Sequence, residues 1–228
     1  AYLVETDGGR LRLAERALGG TWWNPASWGA GLLRGEPGPG AVDMVWANML
    51  LHHQADPAEM LRRWHQSLAV DGYLMFSCLG PDTLGELREL YARAGWPPPS
   101  APFTDMHDWG DLLLEAGFAE PVMDMETIRL SFETPARLVA ELRELGRNLH
   151  PQRAQGLRGR RWRDELFARM LMELARPDEQ GRLVLRFEIV YGHAFKAATR
   201  HRVAPESAIG LDEFRSALRE RKKNLGNL

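Results

Sequence analysis

The chain has 228 residues, 44% of them hydrophobic and 26% charged, with a formal net charge of -2. Such a composition suits one α/β domain with its own core, and argues against overall disorder and against a global attraction to nucleic acid. Cys78 is the only cysteine, which excludes an internal disulfide and a thiolate-rich zinc site and favours a reducing, cytoplasmic setting. No apolar run reaches the roughly 18 residues that a membrane span needs.

The opening Ala-Tyr-Leu-Val-Glu reads as a strand entered midway, so a fragment of a longer protein is expected. Tyr2 to Val4 is apolar and ends at Glu5, and Thr6-Asp7-Gly8-Gly9 supplies a turn. Leu11, Leu13, Ala14 and Leu18 recur at helical spacing until Gly19-Gly20. Thr21 to Gly40, rich in Gly, Pro and Trp, predicts loop with one short strand near Trp22. Trp22, Trp23 and Trp28 are there either an aromatic wall for an adenine ring or a small core of their own.

Ala41 to Trp46 is a second apolar run. Asp56 is placed to cap a helix from Pro57 to Leu68, whose stripe is Met60, Leu61, Trp64 and Leu68. Tyr73 to Leu79 is a buried strand. Asp82 to Arg93 is helical, Trp96-Pro97-Pro98-Pro99 a rigid linker, and Asp105 to Ala116 a helix stopped by Gly117. Strand-like segments follow from Pro121 to Phe132, interrupted around Asp124. Thr134 to Ala175 is helical and charged, broken at Pro151 and Gly156. Leu183 to Phe195 is the last long strand, and Arg219 to Leu228 a loose tail.

Strands alternating with helices predict an α/β fold. Its sheet would be mostly parallel and Rossmann-like, covered on both faces, with residues 134–178 as a helical insertion or lid before the last strand. Ligands in such sheets sit at the carboxyl ends of strands, so Glu5, Ala47-Asn48 and Ser77 to Gly80 are the positions to examine. An acid at Glu5 can accept two hydrogen bonds from a ribose diol; a solvated turn residue is the other reading. His52 and His53 have no third ligand at metal spacing, so no metal site is expected.

Asp43-Met44-Val45-Trp46-Ala47-Asn48-Met49-Leu50-Leu51-His52-His53, with Ala69-Val70-Asp71-Gly72-Tyr73-Leu74-Met75-Phe76, resembles a strand–helix–strand region of class I S-adenosylmethionine-dependent methyltransferases. Four further blocks are similar to the malonyl-[acyl-carrier protein] O-methyltransferase family of biotin synthesis. They are the Gly80-Pro81-Asp82-Thr83-Leu84…Glu86-Leu87-Arg88 run, Phe103-Thr104-Asp105, Leu145 to Arg153 and Arg186 to Tyr191. The resemblance covers most of the chain from Tyr2 to Lys196. It implies S-adenosylmethionine as cofactor, with Glu5 on its ribose, Asn48 and Met49 lining its pocket, and His52 and His53 flanking the methyl donor.

The implied acceptor is a carboxylate, already ionised at neutral pH, so the protein's task is to position it rather than to move a proton. A bidentate arginine suits such a group. Arg153 is the candidate, with His150 and Tyr191 as lesser ones; the catalytic set is thus Arg153, His53 and Tyr191. Arg147, Arg153, Arg158, Arg160, Arg161 and Arg163 form a basic patch that an acidic acyl carrier protein bearing a malonyl thioester would meet. A base stacked on Trp162, or a solvated helix face, are the other readings of that patch.

Three departures from the family pattern stand out. No glycine-rich turn precedes Glu5, so this chain is expected to bind the cofactor weakly or not at all. Asn24 to Gly40 lacks the acid and Leu-Pro pair set against adenine, and Val70-Asp71-Gly72 replaces Pro-Gly-Gly. A non-methylating assembly factor or adaptor, and more remotely a nucleic-acid methyltransferase, are the alternative functions.

Overall fold

Two apolar strand runs and the helix between them set the frame. Strand β3 (Val42–Ala47) leads into a one-turn 3-10 helix (Leu51–His53), helix α2 (Pro57–Ser67) and strand β4 (Leu68–Leu79). The α2 start is fixed as its sequence requires: Asp56 accepts the Glu59 amide at 2.9 Å and Pro57 fills the first turn, a cap worth about 1 kcal/mol. The two strands pair in parallel, which places the tips that follow Ala47 and Leu79 at the same end of the sheet.

This is a computed structural model, and it describes residues 1–5, 7–18 and 33–198. The chain divides into two units, Ala1–Ala197 and Ala198–Leu228, and the described residues lie almost wholly in the first. Thr6, Gly19-Gly20, the strand expected near Trp22, the three tryptophans of that loop and the tail from Arg219 lie outside the described residues.

Among the described residues the main sheet has five strands, in the order β3-β4-β7-β5, with β6 (Ala175–Arg176) also pairing with β7 (Arg182–Phe195). Strands β3, β4 and β5 (Ala119–Phe132) run the same way and β7 runs against them. The expectation of a mostly parallel sheet is thus met in strand direction, the last strand being the one reversed. A separate parallel pair joins β1 (Tyr2–Leu3) to β2 (Leu33–Arg34). Helix α1 (Gly8–Leu18) is tied to β2 by a two-pronged Arg34–Glu15 ion pair.

Helices cover both faces. Leu74, Phe76, Cys78, Val190 and Ala194 meet Leu61 of α2 and Trp109 and Leu113 of α4 (Met106–Glu115) on one side. On the other, Leu79, Leu183, Leu185, Phe187 and Ile189 meet α3 (Gly85–Arg93), α5 (Pro135–Glu144) and α6 (Arg160–Glu173). The cover on that second face is partial. Met44, Trp46, Tyr73, Met75, Tyr191 and Phe195 remain exposed there, Trp46 at 72%.

Three boundaries differ from the sequence reading. Strand β4 begins at Leu68, because Asp71-Gly72 makes a bulge rather than a turn. Asp71 adopts φ 64, a conformation Asp tolerates, and a side chain on Gly72 would meet Ala69 O at 2.9 Å and Asp43 O at 3.0 Å. The family's first glycine of the pair is therefore replaceable here and the second is not. Strand β5 passes through Asp124, opposite Tyr191; its irregularity lies instead between Ala119 and Val122. The helical stretch, expected to break at Pro151 and Gly156, is instead interrupted throughout 145–159, between α5 and α6, and Ala175 already belongs to β6.

Candidate active site

The strand tips build a small constellation. Met49 follows Asn48 with φ 52, and its amide donates to both the Ser77 carbonyl (2.9 Å) and Ser77 Oγ (3.1 Å). Ser77 Oγ also donates to the Asn48 carboxamide oxygen. Ser77, buried in β4, therefore locks the Asn48-Met49 tip of β3 in place. Sequence reading marked Ser77 only as a strand end, since nothing local announces a partner 29 residues away.

His52 and His53 come next in the 3-10 turn, their ring centroids 4.1 Å apart. His52 Nδ1 accepts the Leu79 amide at 3.2 Å, which assigns the proton of the neutral ring to Nε2. Burial, and secondarily the neighbouring His53, push the His52 pKa down to about 4. The imidazole is thus held neutral at physiological pH, able to donate a hydrogen bond but carrying no charge.

Both histidines line a cavity of about 120 Å³. Leu79, Leu84, Leu87 and Phe187 form its floor, Phe103 and Ser100 one wall, and Leu142 with the Leu145–Leu149 loop the other. That loop is seated by two devices. Gly146 has φ +134, and a Cβ on it would lie 3.1 Å from His53 Cε1, so only glycine lets the chain pass over the ring. Asn148 Nδ2 donates to Pro98 O at 2.8 Å, tying the loop to the proline linker. Ser100 escaped the sequence reading, and Phe103 entered it only within a family block, because both follow that linker, far from either histidine in the chain.

Glu188, quoted in the sequence only within the Arg186 to Tyr191 block, has its side chain buried in β7. Its Oε2 accepts the Asp82 amide at 2.8 Å, while Thr83 Oγ1 exchanges hydrogen bonds with its main chain. Gly80 leaves the room it needs: a Cβ there would stand 2.6 Å from Oε2. The Gly-Pro-Asp-Thr-Leu run is shaped by this buried carboxylate.

The remaining expected site residues are dispersed. Glu5 follows β1 and accepts the Asp7 amide at 2.9 Å; it is not among the cavity residues, nor are Asn48, Met49, His150, Arg153 and Tyr191. Arg153 is exposed and donates to His150 O at 3.3 Å. The Tyr191 hydroxyl donates to the Glu126 carboxylate, and that bond holds its pKa above the usual phenol value. Arg147 lines the cavity mouth, is exposed, and makes no ion pair among the described residues. Arg158 stacks on Trp162 at 4.0 Å. Trp162 packs in turn against Tyr91 and Trp96, so its ring is already occupied and not presented to a base. Among the described residues no group of three or more His, Cys, Asp or Glu is placed to hold a metal ion, and no helix is long and apolar enough to cross a membrane.

No family model matches the chain. It is similar to the malonyl-[acyl-carrier protein] O-methyltransferase of Laribacter hongkongensis, 39% identical over 77% of this chain and 58% of that protein. The namesake of Gallionella capsiferriformans is 40% identical over 70% and 54%, and that of Legionella pneumophila 36% over 71% and 56%. The chain thus spans about half the length of the curated relatives it matches. Among solved structures, it resembles a methyltransferase candidate of Bacillus halodurans (TM-score 0.51, 13% identity, 86% of this chain and 83% of that one). The YcgJ protein of Bacillus subtilis gives a TM-score of 0.54 at 9% identity over 86% and 82%. The chain thus shares the Rossmann-like fold of these structures, and its sequence is similar to about half the length of the malonyl-[acyl-carrier protein] O-methyltransferases.

Proposed function

We propose that the protein containing this chain transfers a methyl group from S-adenosylmethionine to the free carboxylate of a malonyl-acyl carrier protein. The observation that carries the reading is the cavity that opens beside His52 and His53, at the same strand ends where Ser77 locks the Asn48-Met49 tip.

The residues for the cofactor would be Glu5 and the Asn48-Met49 tip, with His52 alongside. Their chemistry fits a nucleoside: among the described residues Glu5 uses only Oε1, on the Asp7 amide, which leaves Oε2 for a hydroxyl. S-adenosylmethionine supplies an electrophilic methyl group on a sulfonium. The chain's own residues then orient the acceptor and exclude water, and no general base is needed because a carboxylate is ionised at neutral pH. Positioning of this kind can contribute up to about 7–11 kcal/mol. His53 is the proposed catalytic residue nearest the cavity. Arg153 and Tyr191 would act from its surroundings.

The arginines of α6 support the acidic partner. Arg160, Arg161 and Arg163 crowd its first turn, which has no acidic residue and no side-chain cap. Cations at a helix N-terminus oppose the helix dipole and cost stability, so their placement is understood better as a surface for an anionic protein than as a stabilising feature. Residues 134–178, which carry α5 and α6, would serve as the lid over the acceptor. With Cys78 a buried thiol and no disulfide, the cytoplasm is the proposed compartment.

The test uses the complete gene product with malonyl-carrier protein and cofactor labelled in the methyl group. Base-labile label on the carrier protein is expected. No label, beside an active control enzyme, refutes the proposal.

A further inference from the structure

The cavity beside the histidines has three properties that together select a ligand. The first is size. An apolar cavity of about 150 Å³ takes benzene, six heavy atoms, so one of about 120 Å³ suits a group of similar size. The second is lining. Its walls are mainly leucine and phenylalanine, and Arg147 stands at the mouth with no anionic partner among the described residues. The third is a polar demand inside. Ser100 lines the cavity and is 8% exposed, and its hydroxyl has no hydrogen-bond partner among the described residues. A buried hydroxyl left without a partner costs on the order of 1–3 kcal/mol, a cost that an acceptor atom brought against it would recover.

Resting on the function proposed above, we infer that this cavity is the acyl end of the acceptor site: it takes a short acyl group that ends in a carboxylate, with Arg147, rather than Arg153, as the cation for that carboxylate and Ser100 as a hydroxyl donor. A malonyl group has six heavy atoms and fits the volume; a glutaryl group, two methylenes longer, does not. The neutral His52 ring is compatible with this role, since it offers a donor without adding a second charge to an apolar pocket. Arg153 lies outside the lining and donates to His150 O.

The probes are small thioesters of N-acetylcysteamine carrying malonyl, acetyl or glutaryl groups, titrated into the chain by NMR. Malonyl thioester is expected to shift the resonances of Ser100 and Gly146. Acetyl thioester, lacking the carboxylate, and glutaryl thioester should each bind about tenfold more weakly. Arg147→Gln should weaken malonyl binding about tenfold and leave acetyl binding unchanged. Leu142→Ala, which enlarges the cavity, should bring glutaryl to within about threefold of malonyl. Equal binding of malonyl and acetyl thioesters, or an Arg147→Gln protein that keeps its preference for malonyl, overturns the assignment. So does malonyl thioester that shifts neither residue. The inference and the activity fail separately. Absence of methyl transfer by the complete gene product with selective malonyl binding retained removes the activity alone. Methyl transfer whose KM and acyl-length preference ignore Arg147→Gln and Leu142→Ala removes the inference alone.

Discussion

Gly80→Ala isolates the device that shapes the cavity floor. Gly80 does not need glycine for its backbone, having no left-handed φ; it needs it for space. A methyl group there would stand 2.6 Å from Glu188 Oε2, 2.7 Å from Cδ and 2.9 Å from Cγ. The loop cannot retreat easily, because the Gly80 amide donates to Glu188 O at 2.9 Å and the Leu84 amide to Arg186 O at 2.9 Å. The carboxylate must therefore swing away and release the Asp82 amide. Overpacking costs about 1–3 kcal/mol and a lost hydrogen bond to a charged group about 1.5–3 kcal/mol; the two overlap, so about 3 kcal/mol is expected. With a urea m-value of about 2 kcal/mol/M, that is a midpoint shift of about 1.5 M.

A double-mutant cycle makes the cause visible. Glu188→Ala removes every atom the new methyl would meet, at its own cost in a lost hydrogen bond and a small cavity. Adding Gly80→Ala to that background should then be nearly free, giving a coupling of about 3 kcal/mol. If Gly80→Ala costs the same with and without the Glu188 side chain, to within about 0.5 kcal/mol, the steric account is wrong.

Two other predictions rest on buried titratable groups. His52 has its folded pKa depressed to about 4 from 6.5, so the unfolded chain takes up this proton first. Its contribution to stability is complete above pH 6.5 and is lost as pH falls from there through about 4. His65, also depressed, mainly by burial, acts in the same direction. His52→Gln should therefore show a shallower pH slope in that window by urea unfolding, and an unchanged slope counts against the assignment. Burial pushes the Cys78 thiol up to about 12 and leaves it 0% exposed. Native protein at pH 8 should accordingly label with iodoacetamide only as fast as it unfolds, and prompt labelling without denaturant would contradict its placement.

What could be read from the chain depended on how far apart the partners lie. The Asp56 cap, the Met60–Leu61–Trp64 stripe and the Tyr73–Leu79 run are local patterns; α2 appears where its pattern puts it, and β4 contains its run but starts earlier, at Leu68. Where the pattern weakened, so did the reading. Most of β5 is exposed, which erases the period-two contrast that marks a half-buried strand, so Asp124 looked like a break. Asp71-Gly72 carries turn chemistry, yet the Asp71 amide donates to Lys196 O and the Lys196 amide to Gly72 O, both at 2.8 Å, and that distant pairing turns a turn into a bulge.

The site divides along the same line. His52 and His53 were legible through the family resemblance, which sets them just after the Asn48-Met49 strand tip. Arg153 was chosen for its residue type within a motif, whereas the structure sets Arg147, six residues earlier, beside the histidines, because Gly146 lets the loop cross His53. Glu188 was visible as a letter in the last strand and invisible as a buried charge. Its burial is created by an absence, the side chain that Gly80 lacks 108 residues upstream, and no periodicity records that. A glycine that is neither in a turn nor at positive φ is therefore the kind of position most worth testing when a site is sought from sequence: its reason lies in whatever fills the space it leaves, and here that is the group holding the cavity floor.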